Sequence, residues 1–151
     1  MADSVLAALL PDSSIRLDAT AVDRFDAVRQ CGEALVAAGA VEGWYVDAMV
    51  EREQAVSTYV GEGVAIPHGT LAGKDAVLRD ALVVLRFPDG VRWQDEDVRV
   101  CVGIAATHGG HVALLSQLAE LLLDPAKAQR LRAAESPADV TALLGGTGTD
   151  R

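Results

Sequence analysis

The chain holds three histidines, and each stands beside a glycine in one of two short stretches, "GEGVAIPHGT" (61–70) and "AATHGGHVALL" (105–115). In the first, His68 ends the apolar run Val64-Ala65-Ile66. Pro67 before it fixes one backbone dihedral, and Gly69 after it, lacking a Cβ, lets the chain turn and other groups approach closely. In the second, His108 and His111 flank Gly109-Gly110 between an apolar run and the start of a helical pattern. Ligands of open α/β sheets bind beyond the C-terminal ends of strands, and a helix N-terminus offers an anion unpaired N–H groups and the positive end of a dipole. All three rings are therefore expected on one anion-accepting rim.

Two chemistries would use such a rim. In one, His68 is a nucleophile that takes a phosphoryl group on a ring nitrogen. Imidazole, with an unperturbed pKa near 6.5, is largely neutral and nucleophilic at physiological pH, and no metal is needed. The charge on phosphate must then be met by donors, for which His111, the Gly109-Gly110 amides and Arg52 are candidates. In the other, His68, His108 and His111 bind zinc, since three histidines and a water make a catalytic coordination set. The chain has no HExxH, no dinucleotide-binding glycine fingerprint and no phosphate loop ending in Lys-Ser or Lys-Thr.

The elements that must hold these residues follow from periodicity. Thr20 with Asp23 makes a cap, after which Val22, Phe25, Val28, Cys31 and Leu35 recur at helical spacing up to Gly39. A second helix spans about Trp44 to Val56, with Tyr45, Ala48 and Met49 apolar and Glu51, Arg52 and Glu53 polar near its end. "ALVVLRF" (81–87) and "VRVCVGIAA" (98–106) are β-branched and almost continuously apolar, as strands covered on both faces are. Pro88-Asp89-Gly90 between them is a turn signal. A third helix is expected from His111 to Asp124, and Asp124-Pro125 and Ser136-Pro137 each set a capping side chain before a first-turn proline. Helices, then covered strands, then helices predict a three-layer α/β/α sandwich with a mixed central sheet. A single domain is expected over residues 1–146, with 147–151 as a flexible tail.

The 151 residues carry a formal net charge of −9. That balance argues against affinity for nucleic acid or anionic lipid, and it favours partners that present a basic patch. No apolar stretch reaches the length of a membrane span and no signal peptide is evident, so a cytoplasmic protein is expected. Cys31 and Cys101, without CxxC spacing, read as small buried hydrophobes.

The stretches "MVEREQAVST" (49–58), "TYVGEGVAIPHGT" (58–70) and "GIAATHGGHVALLSQLAELLLD" (103–124) resemble the enzyme IIA components of the bacterial sugar phosphotransferase system, mannitol/fructose class, and are most like its mannitol-type proteins. The likeness extends from the first helix to the last. It implies a mixed sheet between helices. It also implies that His68 accepts phosphate from the phosphohistidine of the carrier protein HPr and passes it to a cysteine of an enzyme IIB. Arg52 and His111 would flank the phosphoryl group and Glu62 would line the same site, with no cofactor and no metal. A second histidine before the third helix departs from the mannitol pattern, and His108 is left out of the catalytic set. No channel domain and no IIB domain is expected on this chain, so the acceptor would be a separate protein. A nitrogen-type regulator that signals by its phosphorylation state, and a zinc hydrolase, stand as alternative functions.

Overall fold

The two β-rich runs pair at the centre of a mixed sheet. The computed structural model of the chain describes residues 8–107 and 110–145. Along them lie β1 (Ile15–Arg16), α1 (Arg24–Ala37), α2 (Tyr45–Ala55), β2 (Tyr59–Gly61), β3 (Val64–Ala65), β4 (Ala81–Trp93), β5 (Glu96–Ala105), α3 (Gly110–Leu122), α4 (Pro125–Arg132) and α5 (Pro137–Gly145). The sheet order is β1-β4-β5-β3-β2. β4 runs antiparallel to β5, while β1 beside β4 and β3 beside β5 are parallel.

Alternation along the strands divides the core in two, because successive side chains point to opposite faces. Leu82, Val84, Val100, Val102 and Ile104 pack with Leu118, Leu122, Leu131 and Val140, so α3, α4 and α5 cover one face. Val83, Leu85, Cys101 and Ala105 pack with Val28, Cys31, Leu35 and Met49, so α1 and α2 cover the other. The expected α/β/α sandwich is thus the observed one. Gly103 allows α1 to sit this close, since a Cβ there would lie 2.8 Å from Val83 Cγ2 and 3.1 Å from Cys31 Cβ. Burial pushes the Cys101 thiol well up, and its hydrogen bond to Cys31 and the nearby Glu53 push it further, so it stays protonated.

Two local expectations are corrected. Pro88-Asp89-Gly90 does not turn the chain: β4 continues through it to Trp93, with a bulge between Arg86 and Val91 in the pairing with β5. Gly90, at φ 79°, supplies the conformation that the bulge needs. The turn comes instead at Gln94 and Asp95, between Trp93 and its partner Glu96, with Gln94 at φ 60°. The first helix begins later than the Thr20 cap implied. Asp23 is its N-cap and accepts from the Asp26 amide at 2.8 Å, while Asp26 accepts from the Val22 amide at 3.0 Å. This reciprocal box leaves Val22 outside the helix and 89% exposed rather than on the apolar face.

Candidate active site

β3 and β5 are parallel neighbours, so their C-terminal ends open at the same edge of the sheet. His68 stands just past β3 and pairs with Ile104 of β5, while the Ile104 amide donates to the Pro67 carbonyl at 2.9 Å. β5 ends at Ala105, and α3 starts at Gly110, which puts His111 in its first turn. His68 and the start of α3 are therefore brought to one rim. His108 lies outside the described residues.

The His68 ring is half-buried, and its Nδ1 lies 2.8 Å from the Ile66 carbonyl oxygen. A carbonyl can only accept, so Nδ1 carries the proton and donates it. In the neutral ring the lone pair then belongs to Nε2. The backbone around it is held by Tyr45 of α2. The phenol donates to the Ile104 carbonyl at 2.8 Å and accepts from the Gly69 amide at 2.9 Å. Burial raises the Tyr45 pKa, an effect the Gly69 amide partly opposes, so the phenol remains a donor at neutral pH. Gly69 lies so close that a Cβ there would sit 2.5 Å from Tyr45 Cε1. Thr70 caps the 3₁₀ turn Leu71–Ala76 by accepting from Gly73. Lys74 of that turn lines a shallow depression with Tyr45, His68 and Thr70, a cation that sequence reasoning did not single out.

Arg52 sits in the last turn of α2, where Nη1 donates to the Val56 carbonyl at 2.6 Å. Val56 leads into the β2–β3 hairpin. Tyr59 pairs with Ala65, and the Ile66 amide donates to the Thr58 carbonyl. That pairing reaches Thr58 and Ile66, two residues short of Val56 and of His68. Glu62 is different. It occupies the exposed hairpin turn at φ 56°, and its carbonyl accepts from Arg132. Gly63, at φ 76°, completes that turn, and β3 (Val64–Ala65) then leads through Ile66 and Pro67 to His68. Glu62 thus occupies the turn before β3, and His68 follows the other end of that strand.

Two positioning networks had no signal in the sequence. Glu53, read above as part of a polar helix end, is 2% exposed. Its Oε1 accepts from the Thr58 amide at 3.1 Å and hydroxyl at 2.6 Å, its Oε2 from Trp93 Nε1 at 2.9 Å, and Arg24 Nε lies 3.4 Å from Oε2. This carboxylate ties the segment after Arg52 to the sheet. Asp80, just before β4, accepts from the Thr107 amide at 2.7 Å and hydroxyl at 3.0 Å, and so pins the exit of β5 on its way to α3. Both are contacts between residues remote in sequence or hidden by burial, which periodicity does not encode. Among the described residues no three His, Cys, Asp or Glu side chains are grouped as metal ligands.

The model of the family described as "Phosphoenolpyruvate-dependent sugar phosphotransferase system, EIIA 2" matches residues 8–145. The chain belongs to that family. A mannitol-specific phosphotransferase enzyme IIA component of Staphylococcus aureus is 39% identical to this EIIA over 132 residues, which cover 87% of this chain and 92% of that one. A multiphosphoryl transfer protein of Escherichia coli is 45% identical over 125 residues, 82% of this chain but 33% of that protein. The EIIA chain thus spans about a third of that longer relative and nearly all of the former one. A solved complex of mannitol enzyme IIA with phosphorylated mannitol enzyme IIB from Escherichia coli matches with a TM-score of 0.85 and 37% identity, covering 91% of this chain and 99% of that one. Among the described residues, no helix of this EIIA is long and apolar enough to cross a membrane.

Proposed function

We propose that this EIIA is a mannitol-type phosphoryl carrier in which His68 Nε2 takes a phosphoryl group from phosphohistidine on HPr and hands it to a cysteine of an enzyme IIB. The observation that carries the reading is the Nδ1 hydrogen bond to the Ile66 carbonyl, which fixes the tautomer in which Nε2 is nucleophilic. The lone pair on Nε2 forms the new N–P bond as the donor's N–P bond breaks and its ring leaves. The Nδ1 proton stays on the ring, where the Ile66 carbonyl stabilises the positive character that develops. Transfer onward reverses the roles, with a thiolate as nucleophile and His68 as leaving group.

Such a relay is chiefly a matter of positioning and of meeting charge on the equatorial oxygens. Arg52, tethered to the Val56 carbonyl, and His111 with the first amides of α3, are the donors we assign to that charge. Glu62, in the turn before β3, is kept as a residue that lines the same site, as the likeness to mannitol-type proteins implies. The IIB acceptor is supported by the complex that a similar enzyme IIA forms with phosphorylated IIB. The mannitol class of sugar rests on the naming of similar chains.

Intact-mass analysis after incubation with phosphoenolpyruvate, enzyme I and HPr tests this directly. One phosphate on the wild type and none on a folded His68→Ala variant is the expected result. A folded wild type that gains no phosphate, or a His68→Ala variant that still gains one, would overturn the assignment.

A further inference from the structure

A second cluster of cationic side chains lies along the sheet from His68. Arg86 of β4 pairs with Val100 of β5, whereas His68 pairs with Ile104. Four residues of one strand separate the two levels, on the order of 13 Å. There a cleft of about 340 Å³ is lined by Arg86, Arg99 and Arg132, with Gln129, Phe87 and Pro88 completing its walls. Three of the chain's 13 basic residues thus converge in a protein of net charge −9, and no carboxylate is part of this lining.

The guanidinium groups hold backbone carbonyls rather than acidic partners, with one exception. Arg86 Nη1 donates to the Arg132 carbonyl at 3.3 Å, and Arg132 Nη1 donates to the Glu62 carbonyl. Arg99 is the exception, with Nε 2.6 Å from Asp97 Oδ2, and its Nη1 donates to the Pro88 carbonyl at 2.6 Å. Capping the C-terminus of α4 accounts for Arg86 Nη1. It does not account for Arg86 Nε, which is buried and has no hydrogen-bond partner among the described residues. A buried cationic donor without an acceptor is a group that an anion would satisfy, and each arginine has donors left over from the contacts above. Guanidinium forks match tetrahedral oxyanions in geometry as well as charge.

We propose that this cleft binds a phosphate-type oxyanion, free or as the phosphate of a small metabolite, with Arg86 and Arg132 as its principal ligands. The site is separate from the phosphoryl-carrying histidine, and its occupancy does not depend on the relay.

The test is a titration of the full chain with inorganic phosphate, and in parallel with glycerol 3-phosphate, at constant ionic strength, followed by amide and arginine Nε–H chemical shifts. Saturable one-to-one shifts at Arg86, Phe87, Arg99 and Arg132 are expected, unchanged in affinity in His68→Ala. The relative affinities of the two probes separate a free-phosphate site from a phosphate-monoester site. Arg86→Gln or Arg132→Gln should weaken binding about tenfold or more, as loss of a charge-assisted hydrogen bond does. Should Arg86→Gln fail to fold, Arg132→Gln and Arg99→Gln carry the same test. Absence of saturable shifts with both probes, binding unaltered by the arginine variants, or shifts confined to the His68 rim and lost in His68→Ala would each overturn the proposal.

Discussion

Replacing Tyr45 with Phe tests whether the phenol sets the position of His68. The substitution keeps the ring but removes the oxygen that joins two strands of backbone, Ile104 at 2.8 Å and Gly69 at 2.9 Å. Ile104 is fully buried, so water cannot readily replace the lost donor, and an orphaned buried acceptor costs about 1–3 kcal/mol. Gly69 is half-buried and its amide can recover part of its bond from solvent. About 2 kcal/mol in all is expected, which in a domain of this size lowers Tm by about 4–8 °C. The catalytic effect is separate from the loss of stability. With its neighbour's amide released, His68 loses one of the restraints on the backbone from which its ring projects, and phosphoryl acceptance should slow by roughly tenfold while still reaching one phosphate per chain. Thermal unfolding followed by circular dichroism gives the first quantity, and rapid quench with phospho-HPr below Tm gives the second. A Tyr45→Phe protein with wild-type Tm and wild-type acceptance rate would refute the reasoning.

The remaining predictions concern the same framework. Gly69→Ala should lower stability by about 1–3 kcal/mol through overlap with the Tyr45 ring, where the new Cβ would lie 2.5 Å from Cε1 and 2.9 Å from Cζ. Adding Tyr45→Ala should remove that overlap, so a double-mutant cycle in urea that shows simple additivity contradicts the close approach. Glu53→Ala strands Trp93 Nε1, the Thr58 amide and Arg24 around a cavity, and should cost about 3–5 kcal/mol in urea denaturation. Glu53→Gln should recover part of this, and a midpoint for Glu53→Ala close to that of wild type would mean that the carboxylate anchors nothing. Asp80→Ala frees Thr107 at the exit of β5 and should slow phosphoryl transfer with only about 1–2 kcal/mol lost. Wild-type transfer in that variant would show that the approach to α3 is held by other contacts.

Local chemistry made much of this protein legible from its residues. The run from Ala81 and the run from Val98 are apolar at nearly every step, Arg86 and Arg99 apart, because both faces of their sheet are covered, and the sequence therefore reveals the layering before any pairing is known. Asp124 before Pro125 announces its helix because a cap acts within three residues. His68 between Pro67 and Gly69 stands out for the same reason, since the residues that shape its turn adjoin it in the chain. Where local signals compete, the sequence is ambiguous. Pro88-Asp89-Gly90 has the composition of a turn, yet cross-strand pairing beyond it outweighs that preference and absorbs it as a bulge.

What only the tertiary structure decided is which remote groups meet. Tyr45 reaches Gly69 across 24 positions and Ile104 across 59, and Glu53 reaches Trp93 across 40. A tyrosine on an apolar helix face and a glutamate in a charged run look the same in the sequence whether or not a partner awaits them. Glu62 marks the other limit, six positions before His68 in the chain yet in the turn of the β2–β3 hairpin, a placement that its spacing alone does not give. Residue types and short-range geometry therefore marked His68 as the candidate and determined the layers, whereas the packing of α2 on the strand ends decided what holds that histidine in place.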